Sequence, residues 1–298
     1  MQKIIIDKKY ANKKIDRVIK LLVPKISQNF LYKAFRKKDI KVNGIRVDSS
    51  YILSSGDILE IYIVDDILEN TNQTLDYSNF FDVVYQDENL LIVNKVQGLC
   101  VHNDKTNDKY NLLDLVTKYL SNPNITPMLC HRLDRNTGGL ILISKNTKTL
   151  DLLLEKIKLN EIQKYYKCLV YGKPPKKSGL LTGYLFKDKK LSKVFIKDTY
   201  QKKSAKILTK YKLISYENNV STLEIELLTG KTHQIRAHLA HNNLPIIGDG
   251  KYGSNKINKN FSYKFQALWA YKLKFDFKEE CHLSYLNNKV FCVTPTFL

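Results

Sequence analysis

Apolar residues recur along this chain in two rhythms, one helical and one of period two. Ile15, Val18, Ile19 and Leu22 fall at i, i+3, i+4 and i+7, the spacing of a helix with one buried stripe. Pro24 and Ser27 break the run, and Ser27 is placed to cap a second helix whose apolar side is Phe30, Leu31 and Ala34. IKVNGIRV then sets two short β-rich runs around Asn43-Gly44, a hairpin signal because a tight two-residue turn needs positive φ at both central positions. The turn SSGD leads into a strand-like LEIYIV. Residues 67–80, ILENTNQTLDYSNF, lose the periodicity and read as a linker. Beyond them LLIVN, LILIS, KCLVYG and TLEIELL read as strands, with Leu223, Ile225 and Leu227 alternating against Thr222, Glu224 and Glu226 in the last. Leu150, Leu153, Leu154 and Ile157 mark a helix that Asn146 can cap, and another follows Gly230 with Ile235 and Leu239 one turn apart. Strands outnumber helices and cluster unevenly, which predicts an α+β fold with a mixed, mainly antiparallel sheet. The expected division is a small α/β unit over 1–66, a linker over 67–80 and a larger domain over 81–298.

Composition changes this picture only through charge. The 298 residues are 43% hydrophobic and 26% charged, as in ordinary globular proteins, but 49 basic residues face 29 acidic ones, a net charge of +20. Such an excess predicts a polyanionic partner. Nucleic acid is preferred over anionic membrane, because no apolar run approaches a bilayer span and MQKIIIDKKY lacks a signal-peptide core. Five widely spaced cysteines, Cys100, Cys130, Cys168, Cys281 and Cys292, suggest reduced thiols in a cytoplasmic protein and no structural zinc. Two basic stretches stand out. Lys33, Arg36 and Lys37 share a helical face that Lys38 extends, and eight lysines between Lys187 and Lys206 are interleaved with Phe186, Phe195 and Tyr200. Each fits RNA contact, and each fits a solvated surface.

The segment HRLDRNTGGL carries the sharpest chemical signal. Asp134 lies between Arg132 and Arg135, cations that favour the ionised carboxylate a nucleophile requires, ahead of a Gly-Gly turn. A turn-capping aspartate fits the same residues.

This stretch resembles the signature loop of the RluA-type pseudouridine synthases, which usually reads H-R-L-D-x-x-T-S-G-L. YQDENLLIVNKVQGLCVH resembles the family's first motif, KYYKCLVYG its tyrosine motif and LLTGKTHQIRAHLAH its arginine motif, with PIIGDGKYG and ALWAYKLKF following in order. The likeness spans residues 81–298, and the first unit resembles the S4 RNA-binding module often found in front of this domain. The resemblance implies Asp134 as nucleophile at ribose C1′ or uracil C6, Arg236 as its ion-pair partner and Tyr166 as the residue that stacks on the base. It further implies His131, Arg132, Arg135, Thr137, Lys231, His233 and Gln234 near the substrate, with Lys33, Arg36, Lys37 and Lys38 on the RNA backbone. No cofactor or metal is implied. The expected partner of a monomeric enzyme is structured RNA, large-subunit ribosomal RNA ahead of transfer RNA, with the target uridine flipped from its stack. Without that resemblance, Tyr166 also fits a strand core and Arg236 a surface charge.

Four positions depart from the family pattern: Gly138 for Ser, Val96-Gln97 for Pro-Ala, Trp269 where His is common, and Lys231 for a frequent Arg. Competing readings are weaker. TGKT lacks the glycine a P-loop needs, Ile225 standing in its place. His233, His238 and His241 are poorly spaced for a metal-dependent nuclease. No Gly-rich loop supports a methyltransferase. A non-catalytic RNA-binding or ribosome-assembly factor would keep every in vitro property on Asp134→Ala. Reversing the charge of Lys189, Lys190 and Lys193 is expected to weaken RNA binding and flatten its salt dependence, measured by filter binding across ionic strengths. An unchanged slope would remove that tract from the interface.

Overall fold

Strands of period two bury one face and leave backbone amides to be satisfied sideways, and here they do so in two separate sheets. The computed structural model describes residues 2–22, 28–62, 76–102, 110–188, 191 and 193–298. The chain divides into two units, Met1–Asp76 and Tyr77–Leu298.

In the first unit, α1 (Ile15–Leu22) buries Ile15, Val18 and Ile19, and α2 (Gln28–Lys37) buries Leu31 and Ala34. They pack on an antiparallel sheet of β1 (Gln2–Ile5), β2 (Ile40–Val42), β3 (Ile45–Arg46) and β4 (Ile58–Ile61), ordered β1-β4-β2-β3. Asn43 and Gly44 join β2 to β3 with φ of 52° and 78°, the turn their sequence predicts. The Asn43 side chain fixes the hairpin, donating to Asp57 Oδ1 and accepting from Ile58 N, both at 2.8 Å. Arg36, Lys37 and Lys38 are exposed at the end of α2. Pro24, Ser27 and the side chains of Phe30 and Lys33 lie outside the described residues, as do Lys189, Lys190 and most of the expected linker.

Among its described residues the second unit holds eleven strands: β5 (Phe81–Gln86), β6 (Leu90–Lys95), β7 (Met128–Leu129), β8 (Gly138–Ser144), β9 (Ile162–Tyr171), β10 (Ser178–Asp188), β11 (Lys193–Lys197), β12 (Ala205–Glu217), β13 (Val220–Leu227), β14 (Leu268–Phe275) and β15 (Val290–Cys292). Their order is β11-β10-β12-β13-β9-β14-β8-β6-β5, with β7 on β8 and β15 on β14. Among the described residues one pairing is parallel, β8 with β14 at Gly138–Trp269 and Gly139–Ala270. The fold is the mixed, mainly antiparallel α+β arrangement that the strand clusters predict.

Every residue of β8 is buried, as a continuous apolar strand covered on both faces should be. Ile141 and Ile143 join the core of α3 (Leu112–Leu120), while Leu140 and Leu142 join Leu153 of α4 (Thr147–Lys158). Asn146 caps α4, its side chain accepting from Thr149 N at 2.8 Å. Leu154 is 43% exposed, so the apolar stripe of α4 is narrower than its periodicity implies. Residues 77–80 also differ from expectation: Tyr77–Asn79 form a 3-10 turn, and Tyr77 and Phe80 pack on the larger core instead of serving as linker.

Gly138 and Gly139 lead into β8 against β14 with no room for a side chain. Gly139 has φ +114°, and a Cβ there would fall 2.2 Å from the Ala270 carbonyl oxygen. A Cβ on Gly138 would lie 2.4 Å from the Trp269 ring, whose Nε1 donates to Asn94 Oδ1 at 3.3 Å. Two of the departures from the family pattern are therefore one: the indole fills the space a residue at 138 would take. Gly138→Ser should cost about 1–3 kcal/mol through overpacking. Trp269→His should relieve that clash, giving the pair a coupling of roughly 1 kcal/mol or more in a urea-unfolding double-mutant cycle. Additive effects would show that the positions act independently.

Candidate active site

The loop from His131 to Thr137 enters β8 pinned through its backbone. Thr137 N donates to Asp134 O at 3.0 Å, closing a turn, and Gly98 N donates to Arg135 O at 2.9 Å. Lys95 is fully buried, and its Nζ donates to Val96 O, Leu99 O and Arg135 O at 2.8, 2.9 and 3.1 Å. Burial lowers its pKa to about 7. Gln97 Nε2 donates to Asn136 O at 2.9 Å and Gln266 O at 2.8 Å, and Gln266 Nε2 donates to Thr137 Oγ1 at 2.8 Å. The Val96-Gln97 departure thus adds a cross-link between the first motif and the aspartate loop.

Arg236 reaches this loop from α5 (Gln234–His241). Its Nη1 donates to Asp134 Oδ2 at 2.8 Å, while Nε and Nη2 bind Asp249 as a fork at 2.7 and 2.9 Å. Asp249 is fully buried and also accepts from Lys251 N and Tyr252 N at 2.8 and 3.1 Å. Burial works against its charge, but the Arg236 hydrogen bonds and charge, with those amides, hold its pKa below the ordinary 3.8. Burial likewise opposes the charge on Arg236, which the two carboxylates nevertheless stabilise.

His233 precedes the helix in the left-handed region at φ 53°. Its Nδ1 lies 2.9 Å from Tyr252 Oη, which already accepts from Val194 N at 2.9 Å. The phenolic proton is then directed at Nδ1, leaving the imidazole proton on Nε2, which faces Asp134 Oδ1 at 3.8 Å. Burial lowers the His233 pKa and favours this neutral form. Tyr166 on β9 is buried, and desolvation, then the Asp134 charge, raise its phenol, keeping it neutral. Opposite it, β14 carries a bulge between Ala270 and Lys272, an irregularity of the kind that re-aims side chains beside sites. Asp134, Tyr166, His233 and Arg236 line one cavity of about 560 Å³.

Other expected residues separate by role. His131 and Thr137 line the cavity, and Lys231 stands exposed at its edge. Arg132 is exposed, with Nη1 3.4 Å from His102 Nε2. The cation hydrogen-bonded to Asp134 is Arg236, the ion-pair partner that the resemblance implies. Arg135 contributes its carbonyl to the loop's anchorage. Gln234 lines the cavity too, but it is buried, its Oε1 accepts from Lys231 N and Thr229 Oγ1, and its Nε2 donates to Leu208 O and Thr209 Oγ1. Its amide holds the turn before α5 with both ends bonded within the protein. Asp249, Lys95 and Gln266 were missed. Asp249 lies within PIIGDGKYG, where an aspartate among glycines reads as a turn residue, and only its fork with Arg236 reveals more. Among the described residues, no three His, Cys, Asp or Glu side chains gather into a metal site.

A mixed sheet whose cavity holds an aspartate on a buried arginine and a tyrosine defines a candidate enzyme centre. The family model for RNA pseudouridylate synthase matches residues 89–241. An uncharacterised RNA pseudouridine synthase of Mycoplasma genitalium is 31% identical, covering 96% of this chain and 93% of the relative. The ribosomal large subunit pseudouridine synthase C of Rickettsia felis is 33% identical, covering 85% of each chain. The solved structure of human RNA pseudouridylate synthase domain containing 1 shares the fold, with a TM-score of 0.60 and 20% identity over 73% of this chain and 84% of that one. The chain belongs to the RNA pseudouridylate synthase family, enzymes that isomerise uridine in RNA.

Asp249→Asn should destabilise the protein by about 3–5 kcal/mol, because it leaves part of a buried cation unpaired. Since folding lowers the Asp249 pKa, its contribution is complete above the ordinary 3.8 and fades as pH falls below it. Urea unfolding at pH 7 and in acid should show a shallower acid slope for the variant; identical slopes would exclude Asp249 as a source of that stability.

Proposed function

We propose that Asp134 is the nucleophile of an RNA pseudouridine synthase acting on large-subunit ribosomal RNA. The observation that carries this reading is the Asp134 carboxylate in the cavity, held through Oδ2 by Arg236 and flanked by Tyr166. The carboxylate attacks ribose C1′ or uracil C6. By the first route the Asp134–C1′ ester forms as the C1′–N1 bond breaks, the base turns over the Tyr166 ring, and C5 displaces the carboxylate as C1′ bonds to C5. By the second the C1′–N1 bond breaks and C1′–C5 forms while the base is held by an Asp134–C6 bond, which is then eliminated to free the carboxylate. The C5 proton then leaves and N1 gains one, so mass is unchanged. Arg236 orients the carboxylate, and the neutral His233 Nε2–H is directed at its second oxygen.

Residues 1–66 act as an S4-like RNA-binding module, supported by the exposed Arg36, Lys37 and Lys38 beside the hairpin, and the second unit, from Tyr77, acts as the catalytic domain. Large-subunit RNA is favoured by the likeness to the ribosomal large subunit pseudouridine synthase C of Rickettsia felis and by the net charge of +20. A monomer in the cytoplasm fits the five free cysteines. Among the described residues no helix is long and apolar enough to cross a membrane. The lysine-rich hairpin of β10 and β11, where Phe186 stacks on Phe195 at 5.6 Å, offers the RNA a second contact surface.

Tritium release from C5-labelled uridine in a ribosomal transcript tests the reading. Wild type should release label, and Asp134→Asn should slow release by more than roughly a thousandfold. Equal release from both would remove Asp134 as nucleophile. Release confined to transfer RNA would change the substrate.

A further inference from the structure

Two hydrogen-bond donors among the residues of the cavity have no acceptor in the described residues, one closed off from solvent and one on the wall. The first is His131. Its Nε2 accepts from Leu142 N at 3.1 Å, so the proton of the neutral ring is on Nδ1, a buried atom without a partner. Burial, reinforced by the nearby charge of Lys164, depresses its pKa to about 3 and keeps the ring neutral.

The second donor is Lys164 itself. Strand residues alternate faces, so Lys164 shares the face of Tyr166, roughly 6.6 Å further along β9. It lines the cavity and has no acceptor or ion-pair partner among the described residues. Burial alone lowers its pKa to about 8, so the ammonium is retained at neutral pH. Among the described residues Asp134 is the one carboxylate lining the cavity.

An ammonium without an acceptor is costly when a ligand desolvates it, and a ligand oxygen placed at its Nζ removes that cost. A uracil lying on Tyr166 with its glycosidic bond at Asp134 carries its 4-carbonyl on the edge farthest from the ribose. We propose that Lys164 donates to this 4-carbonyl oxygen and so makes the cavity specific for uracil. Cytosine presents an amino group at that position, a donor facing a donor. The inference rests on the roles given above to Asp134 and Tyr166. Backbone phosphate is the competing oxygen, but the exposed Arg132, Lys158 and Lys231 are better placed for it than a cation within the wall.

The test pairs substrate and enzyme changes. C5-tritiated ribosomal transcripts carrying uridine or 4-thiouridine, whose sulfur is a poor acceptor, are given to wild type, Lys164→Met and Lys164→Arg under single-turnover conditions. Melting temperatures confirm that the variants fold. Wild type should lose on the order of 10–100-fold on the thio transcript. Lys164→Met should lose as much on the uridine transcript and little more on the thio transcript, while Lys164→Arg recovers part of the rate. Altered RNA folding is common to all three enzymes and cancels in the comparison. A full thio penalty retained by Lys164→Met, or its wild-type rate on uridine, would overturn the assignment. So would a defect equal on both transcripts with a salt slope reduced by about one, the mark of a phosphate contact. Wild type inactive on uridine transcripts of both ribosomal and transfer RNA would sink the functional reading, and this inference with it.

Discussion

One guanidinium shared between two carboxylates organises the second unit. Arg236 is mostly desolvated, a state that is tolerable only while its planar fork is filled. Asp249 occupies the Nε–Nη2 edge, which leaves Nη1 for Asp134 and fixes the direction from which that bond comes. Much local geometry follows from this requirement. The Gln234 amide locks the turn before α5, and Gly248, at φ +77°, lets the chain enter the Asp249 turn where a Cβ would lie 2.3 Å from the Phe265 carbonyl oxygen. Asp249 serves as an internal counter-ion, and Asp134 is held by a cation already oriented before substrate arrives.

The aspartate loop is restrained equally from behind, by one buried lysine and two side-chain amides. Lys95 donates to three carbonyls, and Gln97 and Gln266 bridge backbone and hydroxyl. A carboxylate held this way keeps its orientation without reorganising during reaction, which is where positioned groups contribute most to rate.

Much of this was legible in the sequence because it depends on local rules. The Asn43-Gly44 turn, the Asn146 cap and the alternating β13 each follow from a few neighbouring residues. The motif order likewise located Asp134, Tyr166 and Arg236 in one cavity. What stayed hidden was pairwise and distant in sequence. Asp249 gains meaning only opposite Arg236, and Lys95 only beneath the Arg135 carbonyl. Gly138 and Trp269 looked like two separate losses until their registry made them one packing solution. Gln234 was opaque for the opposite reason: a polar residue in a polar motif gave no sign that both ends of its amide were already bonded.

The parallel pairing of β8 with β14 also has a bearing on how the chain is made. The hairpins β12–β13 and β10–β11 close between neighbours, whereas β14 must insert between β8 and β9, strands that emerge far earlier. Distant pairings of this kind form late because closing the intervening loop costs entropy before any contact repays it. During synthesis the Asp134 loop therefore exists for some time without Arg236, without Asp249 and without the strand that seals it. The basic first unit has a core of its own and can fold while the rest is still being translated. A nascent chain would thus acquire its affinity for polyanions before its chemistry, and the reactive centre would be the last part of the molecule to come into being.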